Sequence, residues 1–331
     1  MSNLPRVVIT DFVSDALEAE RRVLEGVASI TAAGAHTEAD LVGKIEDAAA
    51  LMVFHCLSLT RATIDRLGAC KLIVRCGVGF DNVDHAYART RGIAVANVPD
   101  YGTEEVADSA IGMLLALTRG IAFFNNYYRP PARDWLYTAA GPLYRLRGRT
   151  LGIVGLGRIG TATALRAKAL GLNVSFYDPY VRDGTDKAIG VRRVESLDDL
   201  LSQSQVLSLH CPLTDETRHM IDAAALAHLP HGAFLVNTAR GAIVDTSAIA
   251  PAIANGQLAG AAIDVLACEP PSDDDPLLVA WRDPAHPAHN RLIINPHGAF
   301  YSVEGLLEMR LKGAEACRRA VLGLPLRNVV N

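Results

Sequence analysis

The stretch that decides the fold is Thr150–Tyr180, TLGIVGLGRIGTATALRAKALGLNVSFYDPY. An apolar run, TLGIVG, passes through glycines into a helical pattern, and a second apolar run, NVSFYD, follows. Gly155, Gly157 and Gly160 form G-x-G-x-x-G between the first strand and the helix. The first glycine allows a tight turn, the second lets backbone approach a pyrophosphate at the helix N-terminus, and the third lets helix and strand pack closely. Asp178 stands at the end of the second strand, 18 residues past Gly160. A carboxylate there accepts hydrogen bonds from an adenosine ribose and repels a 2′-phosphate, which favours NAD over NADP. A bare strand–turn–helix would explain the glycines alone. The full order of strand, glycines, helix, strand and acid argues for a dinucleotide site.

Around this unit, short apolar runs alternate with helical patterns. Before it, RVVIT, ALMVFH, KLIVRC and IAVANV read as strands, with DALEAERRVLEG and TRATIDRLG as helices between them. A long helix opens near Thr103 with EEVADSAIGMLLALTRG, and the segment after it, IAFFNNYYRPPARDWLYTAAGPLYRLRG, reads as irregular. From Thr150 the alternation resumes through QVLSLH, AFLVNT, GAAIDV and RLIINP, and SVEGLLEMRLKGAEACRRAVLG closes the chain as an amphipathic helix. Strand–helix alternation implies parallel βαβ units, because a parallel crossover needs a covering helix. With 331 residues the chain is long for one core, so two doubly wound α/β domains are expected, the last helix returning to the first.

Composition narrows the function. A formal charge of -4 offers no attraction to nucleic acid or to an anionic membrane. No apolar run approaches 18 residues, and MSNLPRVVIT lacks the pattern of a secretory leader, so a cytoplasmic protein is expected. Cys56, Cys70, Cys76, Cys211, Cys268 and Cys317 are scattered, with no C-x-x-C pair, and read as free thiols; no metal site is expected.

Chemistry is expected where the second series of strands ends, since ligands of open α/β sheets lie beyond the strands' carboxyl ends. AFLVNT delivers Arg240 to that edge, GAAIDV leads through Asp264 to Glu269, and RLIINP leads to His297. Each has a structural reading when taken alone: a rim salt bridge, a loop carboxylate, a strand-end hydrogen bond. Together they offer an arginine to bind a carboxylate bidentately, a histidine to exchange a proton near neutral pH, and an acid to orient it. That set suits hydride transfer to the carbonyl of a 2-oxo acid.

The chain also resembles the D-isomer-specific 2-hydroxyacid dehydrogenases along essentially its whole length, most closely their C-terminal-binding-protein branch. The resemblance is carried by IVRCGVGFDNVD, EEVADS, TLGIVGLGRIG, FYDPY, LHCPLTDETRH, GAFLVNTARGAIVD, GAAIDV with CEP, NPHGAFYS and LEMR. It implies a flavodoxin-like substrate domain (1–123 plus 300–331) and a Rossmann-like NAD domain (124–299), with the active site in a cleft between them. Arg240 would hold the substrate carboxylate, His297 would be the acid/base, and Glu269 its partner. Gly77, Val78 and Gly79 would form an anion nest for the substrate, with Arg75 nearby. Val78, Thr103, Arg158, Ile159, Cys211, Pro212, Thr217, Thr238, Ala239 and Asp264 would join the glycines and Asp178 along the cofactor, together with Arg240 and His297.

Two functions follow from the resemblance. One is an NAD-dependent dehydrogenase; the other is a nucleotide-sensing corepressor, as in animal members of that branch. The sequence ends at RNVVN without the disordered tail of those corepressors and keeps all three reactive residues, which favours the enzyme. Phe300 stands where that branch has a tryptophan and is expected to face the substrate's tail, favouring small or apolar monocarboxylic 2-oxo acids. Seven of the 19 aromatics (8 Phe, 9 Tyr, 2 Trp) fall within residues 121–144. Such crowding suits an interface core, and the resemblance implies a homodimer through residues of about 103–145.

Overall fold

A computed structural model of the chain describes residues 4–331; the first three residues of the stretch read for a leader lie outside it. The chain divides into two compact units, one of residues up to Gly102 with Tyr301–Asn331 and one of Thr103–Phe300.

The first unit holds five strands: β1 (Arg6–Ile9), β2 (Ser29–Ala32), β3 (Ala48–Val53), β4 (Leu72–Arg75) and β5 (Ala94–Asn97). They pair in parallel in the order β2-β1-β3-β4-β5, a doubly wound arrangement of flavodoxin type. The central strands are buried almost throughout, as expected where helices cover both faces. The sequence did not suggest β2. Only Ile30 of its four residues is buried, so this edge strand carries no apolar run. The final helix, Val303–Val321, returns to this unit and packs on Glu18–Leu24, β3 and β4. A Cβ at Gly313 would lie 2.7 Å from Cys76 Sγ, so glycine is what admits the helix this closely. Arg310 on the same helix bonds both oxygens of Asp15 and both of the fully buried Glu20, at 2.5–2.9 Å.

The second unit holds seven: β6 (Thr150–Val154), β7 (Asn173–Tyr177), β8 (Arg192–Arg193), β9 (Val206–Leu209), β10 (Ala233–Asn237), β11 (Leu258–Ile263) and β12 (Leu292–Ile294). They too are all parallel, in the order β12-β11-β10-β9-β6-β7-β8. This is the Rossmann order with one added strand, and the order reverses between β6 and β9. The sequence missed β8, a two-residue edge strand of arginines with nothing apolar to announce it.

The boundary differs from the expected one: it falls after Gly102 rather than after residue 123. Ala110, Met113, Leu114 and Leu117 of the helix Thr103–Thr118 are buried against Leu151, Ile153, Phe176 and Val236 of the second sheet. Arg166 adds ion pairs to Glu104 and, at 2.6 Å, to Asp108. The segment after it is less irregular than expected. IAFFNNY forms a short helix, Ile121–Tyr127, after Gly120 turns the chain at φ 66°. No single helix among the described residues is long and apolar enough to cross a membrane; the bent pair Thr103–Thr118 and Ile121–Tyr127 reaches that length jointly, with the first helix largely core.

Candidate active site

The reactive residues of the second unit are set by three neighbouring strands. At the end of β10, Asn237 is fully buried and braces the turn that follows. Its Oδ1 accepts from Ala239 N–H and its Nδ2 donates to Arg240 O, both at 3.0 Å. Arg240 therefore leaves the strand with extended backbone, φ -144° and ψ 142°, and its Nη1 donates to Ala239 O at 2.9 Å. The glycine after it has a steric cause. A Cβ at Gly241 would lie 2.0 Å from Leu266 C and 2.3 Å from Ala267 N, because the segment leading to Glu269 crosses directly over it.

At the end of β11, Asp264 is buried. Its carboxylate accepts from Gly298 N–H at 2.9 Å and Ala299 N–H at 3.1 Å, and its backbone carbonyl accepts from His297 N–H at 2.7 Å. Burial pushes the Asp264 carboxyl above its ordinary value, and the two N–H groups act against that shift. This grip holds His297 in the left-handed region at φ 54°, a conformation a non-glycine residue adopts only when its surroundings impose it. Ser109 of the long helix adds a hydrogen bond to Ala299 O at 3.1 Å.

His297 Nδ1 lies 2.6 Å from Glu269 Oε2, and the other carboxylate oxygen, Oε1, accepts from Leu266 N–H at 2.7 Å. Burial alone would raise the Glu269 carboxyl. The hydrogen bond and charge of His297, the Leu266 N–H and the nearby positive charge of Arg240 outweigh it and bring the carboxyl below the usual range. Glu269 is thus an anion fixed on Nδ1 of the ring. The Phe300 ring stands edge-on to that of His297, centroids 6.0 Å apart. The three residues read from the sequence come together here. Asn237, Gly241, Ser109 and the Leu266 amide were not given roles, because their contacts are with segments distant in sequence.

The glycine turn fits a dinucleotide. A Cβ at Gly155 would lie 2.7 Å from Cys211 N and one at Gly160 2.1 Å from Gly155 O, whereas one at Gly157 meets nothing within 4 Å. Two glycines thus serve packing, and the third leaves open space in front of the helix Arg158–Ala169, whose N-terminus has no side-chain cap. Arg158 and Ile159 form its first turn. Asp178 flanks the turn, accepting from Leu156 N–H at 2.8 Å and Tyr180 N–H at 2.9 Å, with lone pairs left for a ribose. On the other side, Thr217 Oγ1 donates to Pro212 O at 2.7 Å. Burial raises the Cys211 thiol to about 11, which suits a wall rather than a nucleophile. Thr238 Oγ1, beside Arg240, is buried with no hydrogen-bond partner among the described residues, a group a ligand would satisfy. Thr103 opens the helix Thr103–Thr118. Bound at this turn, NAD would have its pyrophosphate before the helix and its ribose at Asp178.

In the first unit, β4 ends in Arg75, which is buried. Its Nη1 donates to Cys76 O at 3.2 Å and its Nε to Asn82 Oδ1 at 3.4 Å. Gly77, at φ 147°, lies so close that a Cβ would coincide with the guanidinium. Asn97 Nδ2 donates to Val78 O at 2.6 Å, holding the Gly77–Val78–Gly79 loop.

Comparison with known proteins bears on this arrangement directly. Residues 111–299 match the sequence profile of the D-isomer specific 2-hydroxyacid dehydrogenase NAD binding domain. The chain belongs to the D-isomer specific 2-hydroxyacid dehydrogenase family. It is 34% identical over 309 residues to C-terminal-binding protein 1 of Caenorhabditis elegans, covering 92% of this chain and 42% of that one. It is 34% identical over 327 residues to D-3-phosphoglycerate dehydrogenase of Methanocaldococcus jannaschii, covering 98% and 59%. The chain thus spans about half the length of these two relatives. D-lactate dehydrogenase of Aquifex aeolicus, solved with NAD and lactic acid, superposes with a TM-score of 0.81 at 28% identity, covering 96% of both chains.

Gly241→Ala tests whether the crossing segment positions Glu269. The added methyl should displace Leu266–Ala267 and with them the Leu266 N–H bond to Glu269. We expect any turnover that depends on the His297–Glu269 pair to fall at least about tenfold in kcat while NADH affinity stays within about twofold, since displacing a positioned group by about 1 Å is costly. Equal kcat in wild type and variant would show that the close approach is not needed for the reaction.

Proposed function

We propose that this chain is an NAD-dependent D-2-hydroxyacid dehydrogenase that interconverts a small monocarboxylic 2-oxo acid and its 2-hydroxy acid. The observation that carries the reading is the His297–Glu269 pair at 2.6 Å, set with Arg240 at the ends of adjacent parallel strands. Bound NADH supplies the hydride to the carbonyl carbon. Arg240 binds the substrate carboxylate and polarises the carbonyl oxygen. As the π pair of the C=O bond moves onto oxygen, His297 gives that oxygen its Nε2 proton and becomes neutral imidazole. Glu269 accepts the Nδ1 hydrogen throughout and stabilises the charged ring before transfer. Oxidation of the hydroxy acid runs the same steps in reverse. Phe300, edge-on to His297, offers the substrate's tail an apolar wall.

A panel of 2-oxo acids tests the reading by NADH oxidation. We expect turnover with glyoxylate, pyruvate or longer apolar analogues to exceed that with oxaloacetate. His297→Ala should lower kcat about 10²–10⁴-fold with NADH affinity retained. NADH binding without turnover on any member of the panel would favour the nucleotide-sensing interaction protein instead.

The pH dependence follows from the Glu269 anion. Its carboxyl is held below the ordinary value in the folded chain, so the stabilisation it contributes is present above that range and is lost as pH falls through it. The stability difference between wild type and Glu269→Gln should therefore shrink as pH is lowered through the carboxylate range; a difference independent of pH would remove the anion from this role.

The reading includes a homodimer through residues of about 103–145, in a cytoplasmic setting that suits six free thiols. Its support is apolar surface: Trp135 and Tyr137 are each 87% exposed and Tyr144 57%, beyond the scattered apolar residues of an ordinary surface. Sedimentation at micromolar concentration should give about twice the chain's 35.4 kDa; the mass of a single chain would count against it.

A further inference from the structure

In the second sheet β9 and β7 flank β6, so the loop after β7 and the loop after β9 stand on opposite sides of the glycine turn. Each loop is held by its own bonds. Arg193 of β8 donates to the carbonyls of Val181 and Arg182 at 2.8 and 3.0 Å. In the other loop, Thr217 is tied to Pro212, and His219 N–H donates to Ala242 O at 2.8 Å. One further bond joins the loops to each other: the Tyr180 hydroxyl donates to Glu216 Oε2 at 2.6 Å.

This bond does little for the fold. Tyr180 is 78% exposed and Glu216 is exposed as well, so neither buries the apolar area that stabilises a core. It does join the two loops that border the glycine turn, where the residues around Gly157 and Asp178 would hold the adenosine half of a dinucleotide. Tyr180 is also bonded to the residue that would hold the ribose, since its N–H is one of the two donors on the Asp178 carboxylate. The hydrogen bond to Glu216 holds the phenol above its ordinary value, so it remains a donor. An exposed, charge-assisted bond of this kind is weak enough to open thermally and strong enough, once remade, to slow escape.

We propose that Tyr180 and Glu216 form a clasp across the adenosine end of the cofactor groove, which opens to admit NAD(H) and retards its release when closed. The proposal rests on reading the Gly155–Gly160 turn as the NAD site. Both are positioning residues and take no part in the chemistry.

Release of NADH from the full-length protein, followed by stopped-flow fluorescence on displacement, tests it. Tyr180→Phe and Glu216→Ala should each raise the release rate about three- to tenfold, the scale of one lost hydrogen bond. The double variant should release no faster than either single one, because both remove the same bond. ADP-ribose, which lacks the nicotinamide, should likewise be released faster from both variants by a similar factor, read by its displacement with NADH. Unchanged release in both variants, additive effects in the double variant, or unchanged release of ADP-ribose would overturn the clasp. Faster binding without faster release would also overturn it, since the contact would then obstruct the groove. Wild-type protein that fails to bind NADH would overturn the cofactor reading and the clasp with it; wild-type binding with unchanged release sinks the clasp alone.

Discussion

Asp264 is buried at the carboxyl end of β11, where its carboxylate accepts the N–H groups of Gly298 and Ala299 and its carbonyl accepts that of His297. Its own N–H donates to Asn237 O at 2.9 Å. One residue therefore links the ends of β10 and β11 to the turn beyond β12. A buried carboxylate is costly unless its lone pairs are satisfied, and here they are satisfied by the turn that must be held in a left-handed conformation. The hydrogen bonds between Asp264 and the turn offset both the desolvation of that carboxylate and the strain at His297.

The rest of the site follows from that constraint and from two close approaches. With His297 fixed, its Nδ1 meets Glu269 only if the segment Leu266–Glu269 lies low over the end of β10, and it does so because Gly241 has no side chain. Asn237 orients the turn bearing Arg240 in the same way that Asp264 orients the turn bearing His297, a buried polar side chain satisfied by backbone. The glycine turn after β6 obeys the same rule, for Gly155 lies against Cys211 and Gly160 against Gly155. Backbone packed against backbone is stiff, because no side-chain rotamer is available to yield, and a stiff frame suits a reaction that needs donor and acceptor held in register.

The dinucleotide turn was legible in the sequence because its parts are local: Gly155, Gly157, Gly160 and Asp178 lie within one βαβ unit whose periods change from strand to helix and back. Arg240, Glu269 and His297 were legible for a different reason. Parallel strands all end at one rim, so residues that follow three successive strands are expected to meet without knowledge of their distances. The resemblance to a known family added roles to these positions, and the match over residues 111–299 bears out the family. The edge strands β2 and β8 were not legible, since an edge strand with one buried residue or none leaves no apolar run to read.

By itself the sequence determined two parallel α/β units, a dinucleotide turn and the residue types at one strand rim, because these depend on hydrophobic period and on local backbone needs. The tertiary structure alone decided the membership of the helix Thr103–Thr118, whose apolar face packs on the second sheet. It also decided the use of Asp264, read from the sequence as a cofactor residue and found holding the His297 turn, and the purpose of Gly241. Each of these depends on contacts between segments separated in the chain, where what matters is the space left between backbones rather than the chemistry of any one residue.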